Sequence, residues 1–207
     1  VTAYWNEEAK LWWPEGERPR VYGWMMNHLD SVRCAVKYVR QPVRCVQAGG
    51  YIGVWPIELA KYFEWVHTFE PIPESFECLE RNVRRFYNIF AQQCALGSVP
   101  GTAVFAQKYS SSTMVFDRNL SHSPVTVKVR TIDELKFSRV DALFLDVERS
   151  ELAVLVGGEA TIQRDHPVIT LECLTGQVEI HNRFMENIGY RRAEITHNDH
   201  IFIWGAK

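Results

Sequence analysis

The stretch Val43–Glu70 reads VRCVQAGGYIGVWPIELAKYFEWVHTFE, and the order of residue types along it decides the fold. Val43–Ala48 is a short apolar run interrupted by Arg44 and Gln47, the pattern of a strand entering a core. Gly49, Gly50 and Gly53 follow, a cluster that lets the backbone turn sharply and a ligand come close. From Val54 to Phe63 the apolar residues Val54, Ile57, Leu59, Ala60 and Phe63 recur at roughly helical spacing. Trp65–Phe69 is apolar and aromatic again and ends at Glu70. Strand, glycine turn, helix, strand and acid make half of a nucleotide-binding α/β unit.

Downstream, Pro73 and Glu74 suit a first helical turn, and Phe76, Leu79, Val83 and Phe86 repeat at three and four. Ala91–Leu96, Ala103–Gln107 and Val125–Val129 are strand candidates, with the polar loop SSSTMVFDRNLSHSP ahead of the last of them. Val140–Asp146 reads as a buried strand, and Ser150 as the cap of a helix from Glu151 to about Ala160. His166–Cys173 is a further strand, Val178–Ile188 a helix ended by Gly189, and Tyr190–Ile195 and Ile201–Trp204 the closing strands. Alternation of this kind calls for a mostly parallel sheet with helices on both faces. Upstream, the first 28 residues read as irregular and aromatic, with Trp5, Trp12, Trp13, Tyr22 and Trp24. Such a segment packs across a domain or covers a cleft. Asp30 or Ser31 then caps a helix to about Val39.

At 207 residues, one domain with a sizeable core is expected. A net charge of -2 argues against a nucleic-acid partner, and the Arg81, Arg84 and Arg85 cluster reads as a solvated helix face. No apolar run approaches the roughly 20 residues that span a bilayer, so no membrane partner is expected, and the first residues lack the pattern of a signal peptide. Five widely spaced cysteines without a C-x-x-C pair form neither a zinc pattern nor a disulfide framework, which fits a reducing cytoplasm. His197 and His200 lie three apart without a third strong ligand, so they read as turn residues and no metal site is expected.

Glu70 falls 17 positions after Gly53, near the separation at which an acid reaches ribose hydroxyls. The glycine spacing G-G-x-x-G is not the dinucleotide fingerprint G-x-G-x-x-G, and no P-loop Lys-Ser/Thr follows. S-adenosylmethionine asks for less, a glycine turn and an acid on the ribose with no pyrophosphate to cradle, and fits better. An ordered set of stretches also resembles one family. VQAGGYIG stands where the family has V-D-x-G-A-N-x-G, and TFEPIPESFECLERN follows F-E-P-x-P-x-x-F-x-x-L-x-x-N. QCALG stands for the strand that passes the adenine. TIDEL, VDALFLDVERSELAVLVGG, HPVITLE and IGY…NDHIFI complete the set. The chain resembles the FkbM-type S-adenosylmethionine-dependent methyltransferases over Val43–Trp204, especially divergent members from phage and marine metagenomic sequence.

The resemblance implies a Rossmann-like class I methyltransferase fold with an antiparallel last strand. Residues 43–207 would form that domain, and residues 1–42 an aromatic segment and helix packed on it. It implies Gln47, Gly49 and Gly53 in the cofactor turn, Glu70 with Pro71 at the ribose, Cys94 and Ala95 beside the adenine, and Asp146 facing the methyl group. It further implies O-methylation of a sugar or other small hydroxylated acceptor (a free small molecule or a glycan), with a homo-oligomer as a possible assembly. Three positions depart from the family pattern: Gln47 replaces an acid, Tyr51 an Asn, and Arg149 the Gly after D-V-E. The departures keep open a non-catalytic cofactor-binding module, and a nicotinamide-dependent oxidoreductase is the other alternative. For catalysis the candidates are Asp146, Glu148 and Glu172, acids that end two strands at the edge where open α/β sheets bind ligands. Asp146 and Glu148, two apart, would face one side in extended conformation, and Asp146 would position or deprotonate the acceptor with Glu148 or Glu172 assisting. The competing role for Glu148 and Glu151 is to cap and charge the following helix.

Overall fold

A computed structural model describes residues 3–17, 20–106, 113–114 and 124–205. The described part of the N-terminal segment forms regular elements, which corrects the irregular segment expected there. β1 (Ala3–Asn6) and β2 (Leu11–Pro14) form an antiparallel hairpin, followed by α1 (Arg20–Asn27). Asn6 Oδ1 closes the hairpin by accepting the N–H groups of Glu8 (3.0 Å) and Ala9 (2.9 Å). Leu11 and Trp13 point into the core at period two. α2 (Leu29–Val36) begins without a side-chain cap. Asp30 instead pairs with Arg33, and the buried Ser31 hydroxyl donates to Asp199 (2.6 Å).

β3 (Arg44–Ala48), α3 (Val54–Leu59), β4 (Trp65–Phe69) and α4 (Pro73–Val83, with Pro73 in its first turn) follow the expected order. The expected strand Ala91–Leu96 is two strands. β5 (Ile89–Gln92) joins the main sheet, and after a bend closed by Cys94 N–H to Gln92 O (3.1 Å), β6 (Ala95–Leu96) enters another. β7 (Gly101–Ala106), β8 (Thr113–Met114) and β9 (Pro124–Arg130) complete that second sheet, in order β6-β9-β7-β8. Apart from β8 and Pro124, the polar loop expected here, with Ser110, Ser111 and Ser112, lies outside the described residues.

β10 (Ala142–Leu145) leads to α5 (Glu151–Val156) and α6 (Glu159–Asp165), where one helix was expected. The break falls at Gly157–Gly158. The carbonyl of Gly97 occupies the space a Gly157 side chain would need, and Asp133 accepts from the Ala160 and Thr161 N–H groups to start α6. β11 (Val168–Glu172), α7 (Val178–Asn187), β12 (Tyr190–Thr196) and β13 (Asp199–Trp204) finish the chain.

The main sheet has the order β12-β13-β11-β10-β3-β4-β5. β5, β4, β3, β10 and β11 run parallel, and β13 is antiparallel to both neighbours. This is the mostly parallel Rossmann-like sheet with an antiparallel last strand. One core packs around Cys45, Val66, Leu79 and Phe144, and the other around Val46, Leu143, Leu155 and Ile169, so each sheet face buries its own apolar set. The chain leaves β3 toward β4 on one side, while β10 lies on the other. The carboxyl ends of β3 and β10 therefore flank a topological switch point, where such sheets form a crevice.

Candidate functional site

Register decides which residues meet at that crevice. Ala48 pairs with Phe69 and with Leu145, and Leu145 pairs with Leu171. The next residues, Gly49, Glu70, Asp146 and Glu172, therefore emerge in one row along the rim. Three left-handed residues shape the turn above it: Gly49 (φ 86°), Tyr51 (φ 44°) and Gly53 (φ 99°). Gly49 and Gly50 both donate to Phe69 O at 3.0 Å. A Cβ on Gly49 would overlap the carbonyl of Asp146, and one on Gly50 would press on Thr68 and Leu79. The glycines are thus required by strand and helix packing, before any ligand is considered.

Glu70 locks the turn to the helix after it. Its Oε2 accepts the Tyr51 N–H and its Oε1 the Ile72 N–H, both at 2.8 Å. Burial pushes its carboxyl up to about 7, against the lowering pull of those two N–H bonds. Each oxygen keeps a lone pair for a further donor. Pro71 continues from Glu70 into α4, and Ile72 beside it is buried. Cys94 and Ala95 lie past the end of β5, next along the rim from Glu70, whose N–H donates to Gln92 O (3.2 Å). Both side chains are buried, Cys94 near Val46 and Phe69 and Ala95 near Ile72, and burial raises the Cys94 thiol.

Gln47 lies beneath the turn rather than in front of it. Its side chain is 0% exposed, and its amide donates to Gly49 O (2.8 Å) and Ala48 O (3.3 Å) while accepting from the Thr68 hydroxyl. Both amide hydrogens are engaged, so the residue replacing the family's acid serves the turn itself. Tyr51 reaches the N-terminal segment, its hydroxyl donating to Glu17 (2.6 Å). Asn82 of α4 joins the same parts, accepting from Trp12 N–H (2.7 Å) and donating to Trp12 O (2.9 Å) and Ile52 O (2.8 Å).

On the other side of the switch point the rim is acidic. Asp146 is half-buried, and its carboxyl is raised well above the usual range by burial and by Glu172, Asp199, Glu148 and Glu151. Burial and the charges of Glu148, Glu151 and Asp199 raise the Glu172 carboxyl to about 7. The expectation that Asp146 and Glu148 share a side through extended backbone fails, because Glu148 (φ 50°) and Arg149 (φ 78°) are left-handed. Glu148 still contributes charge to the cluster, and its carboxyl is raised by burial against the lowering effect of Arg149. The expected Ser150 side chain makes no cap bond, and Glu151, in the first turn of α5, ties back the turn before it, its Oε1 accepting the Val147 and Arg149 N–H groups (3.2 Å each).

Arg149 holds a backbone conformation that glycine adopts freely. Left-handed geometry costs a side-chain-bearing residue about 1–2 kcal/mol, partly offset by glycine's greater entropy loss on folding. Arg149→Gly is expected to raise stability by about 0.5–1 kcal/mol, or roughly 1–4 °C in Tm by thermal melt. A lower Tm would mean that the exposed Arg149 side chain contributes more than its backbone costs.

Sequence reasoning missed Asp199, read only as part of a turn. It pairs with Glu172 across the β11–β13 ladder, is 2% exposed, and meets Ser31 (2.6 Å) and His28 Nδ1 (3.5 Å). Its position at the start of an antiparallel strand beside β11 was the available signal. His197 stacks on His28 (4.8 Å between centroids), and His200 is buried with Arg192 3.5 Å away. Among the described residues, no three His, Cys, Asp or Glu side chains are grouped as a metal ion would need.

Residues 47–192 match the family model of the methyltransferase FkbM domain. The chain belongs to that family. Its fold is similar to that of the methyltransferase FkbM from Methylobacillus flagellatus KT, with a TM-score of 0.61 at 19% identity. That match covers 79% of this chain and 44% of the other, so the chain spans less than half the length of this FkbM relative. It is also similar to the ribosomal protein L11 methylase from Lactobacillus delbrueckii subsp. bulgaricus, with a TM-score of 0.53 and 10% identity over 99% of this chain and 82% of that one. Trm5b from Pyrococcus abyssi gives a TM-score of 0.51 and 13% identity over 98% and 54%. At these identities the likeness is one of fold. No curated protein matches the chain. Among the described residues, no helix is long and apolar enough to cross a membrane.

Proposed function

We propose that this FkbM-family chain is an S-adenosylmethionine-dependent methyltransferase that methylates a hydroxyl of a sugar or other small hydroxylated acceptor. The observation that carries the cofactor is the pairing of Glu70 with an acidic rim on opposite sides of one switch point. Glu70 offers two spare lone pairs to ribose hydroxyls, and Asp146 lies across Gly49 from it. A positively charged sulfonium is stabilised beside Asp146, whereas the pyrophosphate of a nicotinamide cofactor is repelled by the acidic rim. Arg130, near the end of β5, is already paired with Glu134 (2.6 Å). Gly49 and Gly53 hold the turn over which the cofactor's amino acid end would lie. The fully bonded Gln47 leaves the cofactor's ammonium group to be met by backbone carbonyls or water. Cys94 and Ala95 wall the adenine side with small buried groups.

When bound, S-adenosylmethionine supplies a methyl group on cationic sulfur. The chain's part is to align an acceptor oxygen with that group, which supplies much of the rate, and to take the hydroxyl proton. Asp146 accepts that proton, with Glu172 beside it at the end of the next strand.

The test is S-adenosylhomocysteine release with hydroxylated acceptors, in the wild type and in Asp146→Asn. The variant should bind S-adenosylhomocysteine within about threefold of wild type and turn over at least about 100-fold more slowly. Loss of binding equal to the loss of turnover would make Asp146 a cofactor ligand and not the base.

A further inference from the structure

The carboxylates at the ends of β10 and β11 exceed the donors and positive charges around them. Asp199 is met by Ser31 and His28, Glu151 by two backbone N–H groups, and Glu148 by the charge of Arg149. Asp146 and Glu172 emerge side by side at the ends of paired strands, two like charges of which Glu172 raises Asp146. Neither forms an ion pair with any described Lys, Arg or His. Glu172 Oε2 accepts no hydrogen bond although the residue is only 7% exposed. Glu151 Oε2, on a residue 0% exposed, is likewise without a donor. Buried acceptors left unmet in a folded protein are uncommon and costly, and a bound donor removes the cost.

Position separates this need from the cofactor's charge. Neighbouring strands are about 4.8 Å apart, so Glu172 on β11 stands about 10 Å along the sheet from the Gly49 turn on β3. A sulfonium beside Gly49 and Asp146 leaves Glu172 facing a second positive group. A metal ion is disfavoured, because no three suitable side chains are grouped for one among the described residues. An ammonium group accepts looser geometry, donating three hydrogen bonds to oxygens in varied directions.

We propose that Glu172, with Asp146 and Glu148, binds an ammonium group on the acceptor, so that the substrate is an amine-bearing hydroxylated small molecule of the amino sugar or amino alcohol class. This rests on the methyltransferase reading above and names the substrate of the same site. The amine is a handle and not the methylated atom. The hydroxyl oxygen bonds to the methyl carbon, its proton passes to Asp146, the carbon–sulfur pair stays on sulfur, and the ammonium is unchanged.

The test is calorimetry in saturating S-adenosylhomocysteine with matched probes: glucosamine against glucose and N-acetylglucosamine, and ethanolamine against ethylene glycol. At pH 7 at least one amine should bind about tenfold or more tighter than its neutral counterparts. The preference should weaken with added salt and disappear in Glu172→Gln, while S-adenosylhomocysteine affinity stays within about twofold. Equal binding of amines and neutral probes, or no amine binding at all, overturns the proposal. Magnesium chloride that gives heat alone and abolishes the amine preference also overturns it, in favour of a metal. The same pairs titrated without S-adenosylhomocysteine keep the two claims apart. Failure of S-adenosylhomocysteine to bind with the amine preference intact counts against the cofactor, and the reverse result counts against the amine.

Discussion

Glu70→Ala is expected to weaken S-adenosylhomocysteine binding by at least about 100-fold, since two charge-assisted bonds to ribose hydroxyls are lost. The same change should lower stability by about 2–4 kcal/mol, because the Tyr51 and Ile72 N–H groups lose their shared acceptor. Denaturant unfolding and calorimetry on the same preparation separate the two effects. Glu70→Gln keeps one carbonyl acceptor and should recover part of the stability but little of the affinity. The pH dependence has a definite sign. Burial raises this carboxyl to about 7 in the folded chain, above its ordinary unfolded value of about 4.3. The folded state therefore binds more protons than the unfolded state between these values. Stability from this group is full below pH about 4.3 and is lost as pH rises toward 7. Glu70→Ala should flatten that part of the stability profile, and an unchanged slope would show that Glu70 is not the group responsible.

Gly49→Ala should be the most damaging single methyl in the Gly49–Gly53 turn, at about 3–5 kcal/mol. Part of that is the left-handed backbone (φ 86°), which costs about 1–2 kcal/mol for alanine. The larger part is steric, because the new Cβ overlaps the Asp146 carbonyl, and backbone gives way less easily than a side chain. Gly176 is the matched control, with φ 88° and nothing near its absent Cβ. Gly176→Ala should therefore cost only the backbone share. Chemical denaturation of both variants checks this, and equal costs would mean that β3 and β10 part easily at the rim. The second outcome would also weaken the claim that Asp146 is held rigidly across from Glu70.

What could be seen in the sequence was set by how local each cause is. The Val43–Glu70 unit was legible because strand, glycine turn and helix are each written in consecutive residues. Glu70, Asp146 and Glu172 were visible as the acids that end strands, and parallel register then carried them to one rim. The N-terminal hairpin was hidden, since it lacks an Asn-Gly or Asp-Gly turn and places Trp5, Trp12 and Trp13 on both faces. The break between α5 and α6 depends on the carbonyl of Gly97, some sixty residues upstream, reaching Gly157. Glu148 was misplaced because its left-handed backbone cancels the alternation of an extended strand. Asp199 and Ser31 became site residues only through contacts between β11, β13 and α2, which no local pattern announces. Gln47 illustrates the same limit in reverse. Its departure from the family's acid was plain, but its engagement by Gly49 and Thr68 is a fact of packing.

The central claim is that the rim between Glu70 and Asp146 takes an adenosyl cofactor with a cationic sulfur. Isothermal titration of the wild-type chain with S-adenosylmethionine, S-adenosylhomocysteine and reduced nicotinamide dinucleotide tests it most directly. Saturable one-site binding of both adenosyl ligands, lost in Glu70→Ala and absent for the nicotinamide, is the predicted result. No heat with either adenosyl ligand, or saturable binding of the nicotinamide in their place, would contradict it.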